Sequence, residues 1–116
     1  MKGLVRLANK HKQRTSDTNI EKAIKYVLET NQIRYIPQYK IGPYFADFYL
    51  PDFKLVVECD GDYWHKKPRV VRHGMKRDIF IKSRGYKIVH LLGSDILRGP
   101  SEALRKSLQN LRQGEM

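Results

Sequence analysis

Acidic residues interrupt two apolar segments that have the pattern of β-strands. Asp47 lies in the middle of one segment, and Glu58 and Asp60 follow the apolar run Leu55-Val56-Val57. Since side chains two positions apart on a strand point to the same face of a sheet, Glu58 and Asp60 should share a face while Cys59 points to the other. If a turn joins the two segments as a hairpin, Asp47 can lie beside Glu58.

A cluster of carboxylates on a sheet has a specific electrostatic requirement. Such groups repel one another unless a cation lies between them. Mg²⁺, for which Mn²⁺ is the natural substitute, is a hard cation that takes oxygen ligands and often binds phosphate as well. An acidic cluster in a basic chain therefore predicts a metal site that faces a phosphodiester. The alternative is that Asp47 and Glu58 are paired with Lys or Arg, because structural ion pairs also place acids beside strands.

The overall charge points to a polyanionic partner. The chain of 116 residues has 23 Lys and Arg against 12 Asp and Glu, a net charge of +11. Such a surplus favours nucleic acid, although a basic surface without a partner is the alternative. The single cysteine, Cys59, permits no internal disulfide. No segment has the length and apolarity of a signal peptide or a membrane span, so we expect no membrane partner and a cytoplasmic location.

The hydrophobic pattern predicts an α/β core in which the order helix, three strands, helix, strand, helix builds a mixed sheet of roughly four strands. We predict strands over residues 34–41, 44–50, 54–60 and 86–92. Pro37 favours an edge position or a bulge for the first of them. The stretch 61–73 is predicted to be a loop, and helices are predicted over 74–84 and from Pro100 onward. Ser94 is predicted to cap a short turn between the last strand and the last helix.

The N-terminal region combines a basic segment with a helix start. Residues 1–16 carry several Lys and Arg and no acid, which predicts a basic arm. A solvated tail, or a helix with one basic face, is the alternative. The sequence Thr18-Asn19-Ile20-Glu21 has the form of a capping box, so the first helix should start there. For Glu21, the acceptor role in that box is the structural alternative to a role in the site.

Two stretches together resemble a known nuclease family. Residues 46–51 and 57–65, with Asp47 followed by a Leu-Pro turn and then Glu-x-Asp-Gly and Trp-His in order, resemble very-short-patch repair endonucleases. They are more similar still to bacterial relatives that share the Glu-x-Asp-Gly core and a following histidine. Both groups belong to the PD-(D/E)xK, restriction-endonuclease-like superfamily. Arg77-Asp78 and the segment 85–89 are similar to the helix and strand that follow this core, so the resemblance extends over about residues 18–97.

The resemblance implies roles for individual residues. Asp47 would be the central metal ligand, Glu58 would take the second acidic position, and the backbone carbonyl of Cys59 would complete the metal site. Glu21 matches the helix acid that reaches toward the metal. His65 matches a histidine used for proton transfer near the scissile phosphate.

The chain departs from the family pattern at two places. Asp60 stands where the superfamily has a lysine, so it can bind metal or accept a proton but cannot supply positive charge to the attacking water. The repair enzymes hold a structural zinc through a further His and Cys just beyond the Trp-His pair. Lys67 and Arg69 hold those places here, so we expect no structural zinc.

The segment after the acidic cluster is predicted to contact DNA. Tyr63 and Trp64 match aromatic residues that wedge into DNA in the repair enzymes. Basic residues suited to phosphate contacts follow them, namely Lys66, Lys67, Arg69, Arg72, Lys76 and Arg77. The alternative is a solvated loop and helix face. His73 and His90 are interpreted as structural, and Cys59 as a small buried residue.

The leading hypothesis is a Mg²⁺-dependent DNA endonuclease with a restriction-endonuclease-like fold, in which residues 17–116 form a single nuclease domain behind the basic arm. One small chain offers one active site, so a nick in duplex DNA is the simplest product. The main alternative is a catalytically degenerate DNA-binding module of the same fold, supported by Asp60 in the lysine position. A nuclease directed at RNA is a third and weaker hypothesis. The sequence leaves monomer and dimer open.

Overall fold

A four-stranded sheet forms the centre of the molecule in the computed structural model, which describes residues 15–61 and 68–114. The strands are β1 (Ile36–Ile41), β2 (Tyr44–Leu50), β3 (Leu55–Asp60) and β4 (Lys87–Leu92), and they lie in that order across the sheet. The pairs β1–β2 and β2–β3 are antiparallel, whereas β3–β4 is parallel. The predicted α/β fold with a mixed four-stranded sheet is therefore confirmed. Strand β1, which contains Pro37, lies at an edge of the sheet.

Helices α1 (Thr15–Thr30), α2 (Pro68–Ser83), α3 (Gly93–Arg98) and α4 (Pro100–Gly114) flank the sheet, and a short 3₁₀ turn (Pro51–Phe53) joins β2 to β3. Among the described residues, no helix is long and apolar enough to cross a membrane. The connection from β3 to the parallel strand β4 runs through α2. Because of this crossover, α2 lies beside the C-terminal ends of β3 and β4.

Three predictions about helix starts were wrong. Helix α1 already includes Thr15, so Thr18 lies inside the helix and the capping-box explanation of Glu21 does not hold. Helix α2 begins at Pro68 rather than at residue 74, because a proline has no backbone N–H to leave unpaired in the first turn and its φ angle already suits a helix. Helix α3 follows Leu92 as N-cap without a side-chain cap, so Ser94 is not a capping residue.

The main core lies between one face of the sheet and the helices α1, α3 and α4. An apolar stripe on α1 supplies Ile24 and Leu28, which are fully buried. They pack in one cluster with Val57 of β3, Ile96 of α3 and other apolar side chains. Burying one such side chain contributes roughly 1.5–3 kcal/mol. A second, smaller cluster includes Ile81 of α2, so α2 packs on the sheet separately from the main core.

Candidate active site

Asp47 and Glu58 form a buried pair of carboxylates between β2 and β3. Their exposed fractions are 3% and 5%. The backbone N–H of Cys59 donates to Asp47 Oδ2 at 2.8 Å, and the backbone N–H of Asp47 donates to Glu58 Oε2 at 3.2 Å. The regular pairing of these strands ends one position earlier, at Phe48 opposite Val57. Each acid therefore bonds to the backbone of the other strand where the ladder stops, and the predicted juxtaposition of Asp47 and Glu58 is present in the structure.

The guanidinium of Arg77, on α2, is the cation closest to this pair among the described contacts. Its Nη2 donates to Glu58 Oε2 at 2.8 Å and to the carbonyl oxygen of Phe45 at 2.8 Å. The side chains of Arg77 and Glu58 are only 15% and 6% exposed. Burial acts to lower the pKa of Arg77, but the charge and hydrogen bond of Glu58, with Asp47 and Asp78, outweigh it and raise that pKa above its ordinary value. The alternative that these acids are paired with Lys or Arg is therefore what the structure shows for Glu58.

A second polar group joins Asp60, at the end of β3, to residues that the sequence analysis did not assign to the site. His90 Nδ1 lies 2.7 Å from Asp60 Oδ2, and His90 Nε2 lies 2.6 Å from Asp78 Oδ2. The hydrogen bond to Asp60 is the largest influence and raises the pKa of His90 from 6.5 to about 9, against the opposing effect of burial, with Asp78 adding to the rise. At neutral pH the ring is therefore protonated, and both nitrogens donate to carboxylates.

Cys59 lies in β3 between two of the predicted acids, Glu58 and Asp60. Its thiol is buried in the main core, at 7% exposure, as expected for a small buried residue. Burial raises the pKa of this thiol well above its ordinary value, and the charges of nearby acids raise it further, in the order Asp47, Glu21, Glu58, Asp60. Cys59 therefore lies near enough to these four predicted site acids for their charges to act on its thiol.

The chemistry of these acids suits a hard cation, although the side chains are not gathered tightly. Carboxylate and carbonyl oxygens are the ligands that Mg²⁺ takes. Within residues 15–61 and 68–114, no group of three or more His, Cys, Asp or Glu side chains is placed so that it could hold one metal ion. Instead, Arg77 provides the positive charge at Glu58. A metal ion at Glu58 would therefore compete with this guanidinium.

The remaining predicted residues divide between the described and undescribed parts of the chain. Tyr63, Trp64, His65, Lys66 and Lys67 lie outside the described residues.

Helix α2 carries the rest of the predicted DNA-binding residues. Arg69 lies in its first turn, and Arg72 and Lys76 are exposed one turn apart on the same side of the helix. Arg77 points instead into the site, where its Nη2 atom is already engaged by Glu58 and the carbonyl oxygen of Phe45. Asp78 and His90 are the residues that sequence analysis did not assign to the site. Asp78 was noted only as part of the Arg77-Asp78 dipeptide, and His90 was interpreted as structural.

Comparisons with known proteins agree with this architecture. A family model described as REase_MTES_1575, which is restriction-endonuclease-like, matches residues 20–111. Two proteins of Haemophilus influenzae (strain ATCC 51907 / DSM 11121 / KW20 / Rd), both described as uncharacterized, are similar in sequence. One is 28% identical over 114 residues, covering 89% of this chain and 71% of the relative. The other is 27% identical over 93 residues, covering 78% and 76% respectively.

A solved structure shares the fold. The catalytic domain of the homing endonuclease I-Bth0305I superposes with a TM-score of 0.62 at 22% sequence identity, over 74% of this chain and 87% of that domain. At this identity the likeness concerns the arrangement of strands and helices. The predicted restriction-endonuclease-like fold is thereby confirmed.

Proposed function

We propose that this chain, which belongs to the restriction-endonuclease-like family REase_MTES_1575, is a metal-dependent endonuclease that nicks duplex DNA. Family membership supports a nuclease, and the nicking of duplex DNA with a metal ion is the part that we add. The observation that carries the proposal is the buried pair of Asp47 and Glu58, each bonded to the backbone of the other's strand. Keeping two carboxylates buried close together is costly unless cations compensate them. Arg77 provides such a charge at Glu58 in the structure, and in the proposal a metal ion that binds with the phosphate would provide it during catalysis.

In this proposal the metal is Mg²⁺, with Mn²⁺ as a substitute. Asp47, Glu58, Asp60 and the backbone carbonyl of Cys59 are the proposed ligands, with Glu21 reaching toward the ion. To hold it, these groups would have to move together, because the described residues do not gather three such side chains around one point. Such an ion stabilises charge on the phosphate and lowers the pKa of an attacking water.

The protein's own side chains have further tasks in this proposal. The surplus of basic residues draws the phosphate backbone toward the protein, and the exposed Arg72 and Lys76 are placed on α2 to contact it. Arg77 keeps Glu58 neutralised until substrate and cation arrive. His65 is proposed to transfer a proton, and Tyr63 and Trp64 to contact bases.

The test is nicking of a supercoiled plasmid by the full chain with Mg²⁺, with Mn²⁺, and with a chelator. Asp47→Asn preserves the size of the side chain and removes its charge, so it should reduce nicking to background while the thermal transition remains cooperative. Asp52→Asn is the matched control, because Asp52 is an exposed acid paired with Arg34 on the surface. A folded Asp47→Asn protein that nicks at the wild-type rate, or wild-type nicking that persists in chelator, would contradict the proposal.

A DNA-binding module without catalysis is the second candidate, favoured by the contact between Arg77 and Glu58. A guanidinium already neutralises this acid, and Asp60 stands where the superfamily has a lysine. This candidate predicts salt-dependent binding of duplex DNA together with no nicking under any of the metal conditions. The same plasmid assay, accompanied by a binding measurement, therefore separates the two.

A further inference from the structure

We infer that His90 is a positioning residue of this site, one that fixes the Asp60 carboxylate in a single orientation through its Nδ1 atom. Its effect on catalysis rests on the proposed function, whereas the contact itself does not. His90 does not need to touch substrate in this role, because it acts through Asp60.

The geometry supports this role because the ring is held on both edges. Asp60 ends β3, His90 lies in the parallel neighbour β4, and Asp78 lies on α2, so three elements meet at one imidazole. The distances of 2.7 Å from Nδ1 to Asp60 and 2.6 Å from Nε2 to Asp78 are those of strong hydrogen bonds to charged groups. The ring cannot rotate about its bond to Cβ without breaking one of these two hydrogen bonds.

Fixing Asp60 matters because the terminal side-chain torsion angle of an aspartate has a broad distribution, so this torsion does not by itself select one orientation of the carboxylate. With Oδ2 engaged by His90, the direction of the second carboxylate oxygen is also set. The register adds to this order, since His90 pairs with Glu58 across the sheet while its side chain reaches Asp60. His90 of β4 is therefore the register partner of Glu58 and the hydrogen-bond partner of Asp60.

The alternative is that His90 merely fastens α2 to the sheet through Asp78. Two amide substitutions separate these roles, because the amide nitrogen of Asn lies near the position of Nδ1 and that of Gln near the position of Nε2. His90→Asn keeps the donor to Asp60 and removes the one to Asp78, whereas His90→Gln does the opposite.

If His90 positions Asp60, His90→Gln lowers the single-turnover nicking rate by about 10–100-fold, the usual cost of removing a partner that orients a functional ligand. The dissociation constant for DNA stays unchanged, and His90→Asn retains a rate close to that of the wild type. A double-mutant cycle adds a second criterion: in Asp60→Asn protein, His90→Gln causes little further loss, since both changes act on the same group. Equal losses in both His90 variants, following their loss of thermal stability, would overturn the inference in favour of a fastening role.

A measurement without substrate keeps the inference separate from the proposed function. The ¹⁵N chemical shifts of the His90 ring, measured by NMR in wild-type and Asp60→Asn proteins, should differ mainly at Nδ1. If neither ring nitrogen responds, the contact with Asp60 is absent in solution and the inference is wrong, whether or not the protein nicks DNA. If Nδ1 responds but the wild type nicks nothing, the proposed function fails while the hold of His90 on Asp60 is supported.

Discussion

Replacing Arg77 with methionine should destabilise the fold strongly, because it removes the guanidinium that forms a buried ion pair with the Glu58 carboxylate. Methionine keeps an unbranched, flexible side chain but cannot carry charge. The two side chains are 15% and 6% exposed and their atoms are 2.8 Å apart, so the pair belongs to the buried class. Removing one partner of a buried ion pair costs about 3–5 kcal/mol, since the remaining charge is left uncompensated in the interior.

Urea denaturation followed by circular dichroism measures this loss directly. Thermal denaturation should show the same loss. A change of 1 kcal/mol shifts the melting temperature by roughly 3–5 °C for a chain of this size, so the melting temperature of Arg77→Met should fall by roughly 10–25 °C. Removing the second charge as well should recover most of the stability, because a buried pair replaced on both sides is often close to neutral. The double variant Arg77→Met/Glu58→Gln is therefore expected to be clearly more stable than Arg77→Met alone.

The matched control breaks an ion pair on the surface. Arg105 and Glu102 lie 2.6 Å apart on α4, but their side chains are 59% and 58% exposed. Solvent and salt screen such a pair, so Arg105→Met should cost far less than Arg77→Met. The reasoning is refuted if Arg77→Met loses less than about 1 kcal/mol, or if adding Glu58→Gln restores nothing.

Three further outcomes are expected. The pKa of His90 lies above its ordinary value of 6.5, at about 9; its stabilising contribution is therefore complete below pH 6.5 and is lost as the pH rises through 9. The stability of wild type relative to His90→Gln, from urea denaturation, should shrink across that range, and a constant difference would contradict the assignment. Binding to duplex DNA should weaken steeply with salt, which is measured as the slope of log binding constant against log salt concentration. Removing residues 1–14 should make this slope less steep by about 0.9 for each phosphate that the segment neutralises in the full chain. An unchanged slope would show that the segment does not bind DNA. Leu28→Ala in the fully buried core should cost about 2–5 kcal/mol in urea denaturation, whereas Ile79→Ala, at a side chain that is 66% exposed, should cost much less; similar losses would contradict the core assignment.

Local patterns alone were enough to predict the strands and the position of Asp47 beside Glu58. Strand β2 spans Tyr44–Leu50 as predicted, and the apolar stripe of α1 faces the core. The alternation of a strand requires Glu58 and Asp60 to share a face, and the short connection after Leu50 requires an antiparallel pair. The position of Asp47 beside Glu58 follows from these two constraints. All of them act between residues fewer than about a dozen positions apart, which is why the sequence by itself carries them.

Only the tertiary structure decided what these acids contact. Asp60 and His90 are 30 positions apart, and Glu58 and Arg77 are 19 positions apart. Both contacts depend on the parallel register between β3 and β4 and on how α2 lies across it. No periodicity records that register, because the connection passes through a whole helix whose packing depends on distant side chains. His90 was therefore assigned as structural from the sequence, and its place between Asp60 and Asp78 emerges only when the crossover brings the three elements together.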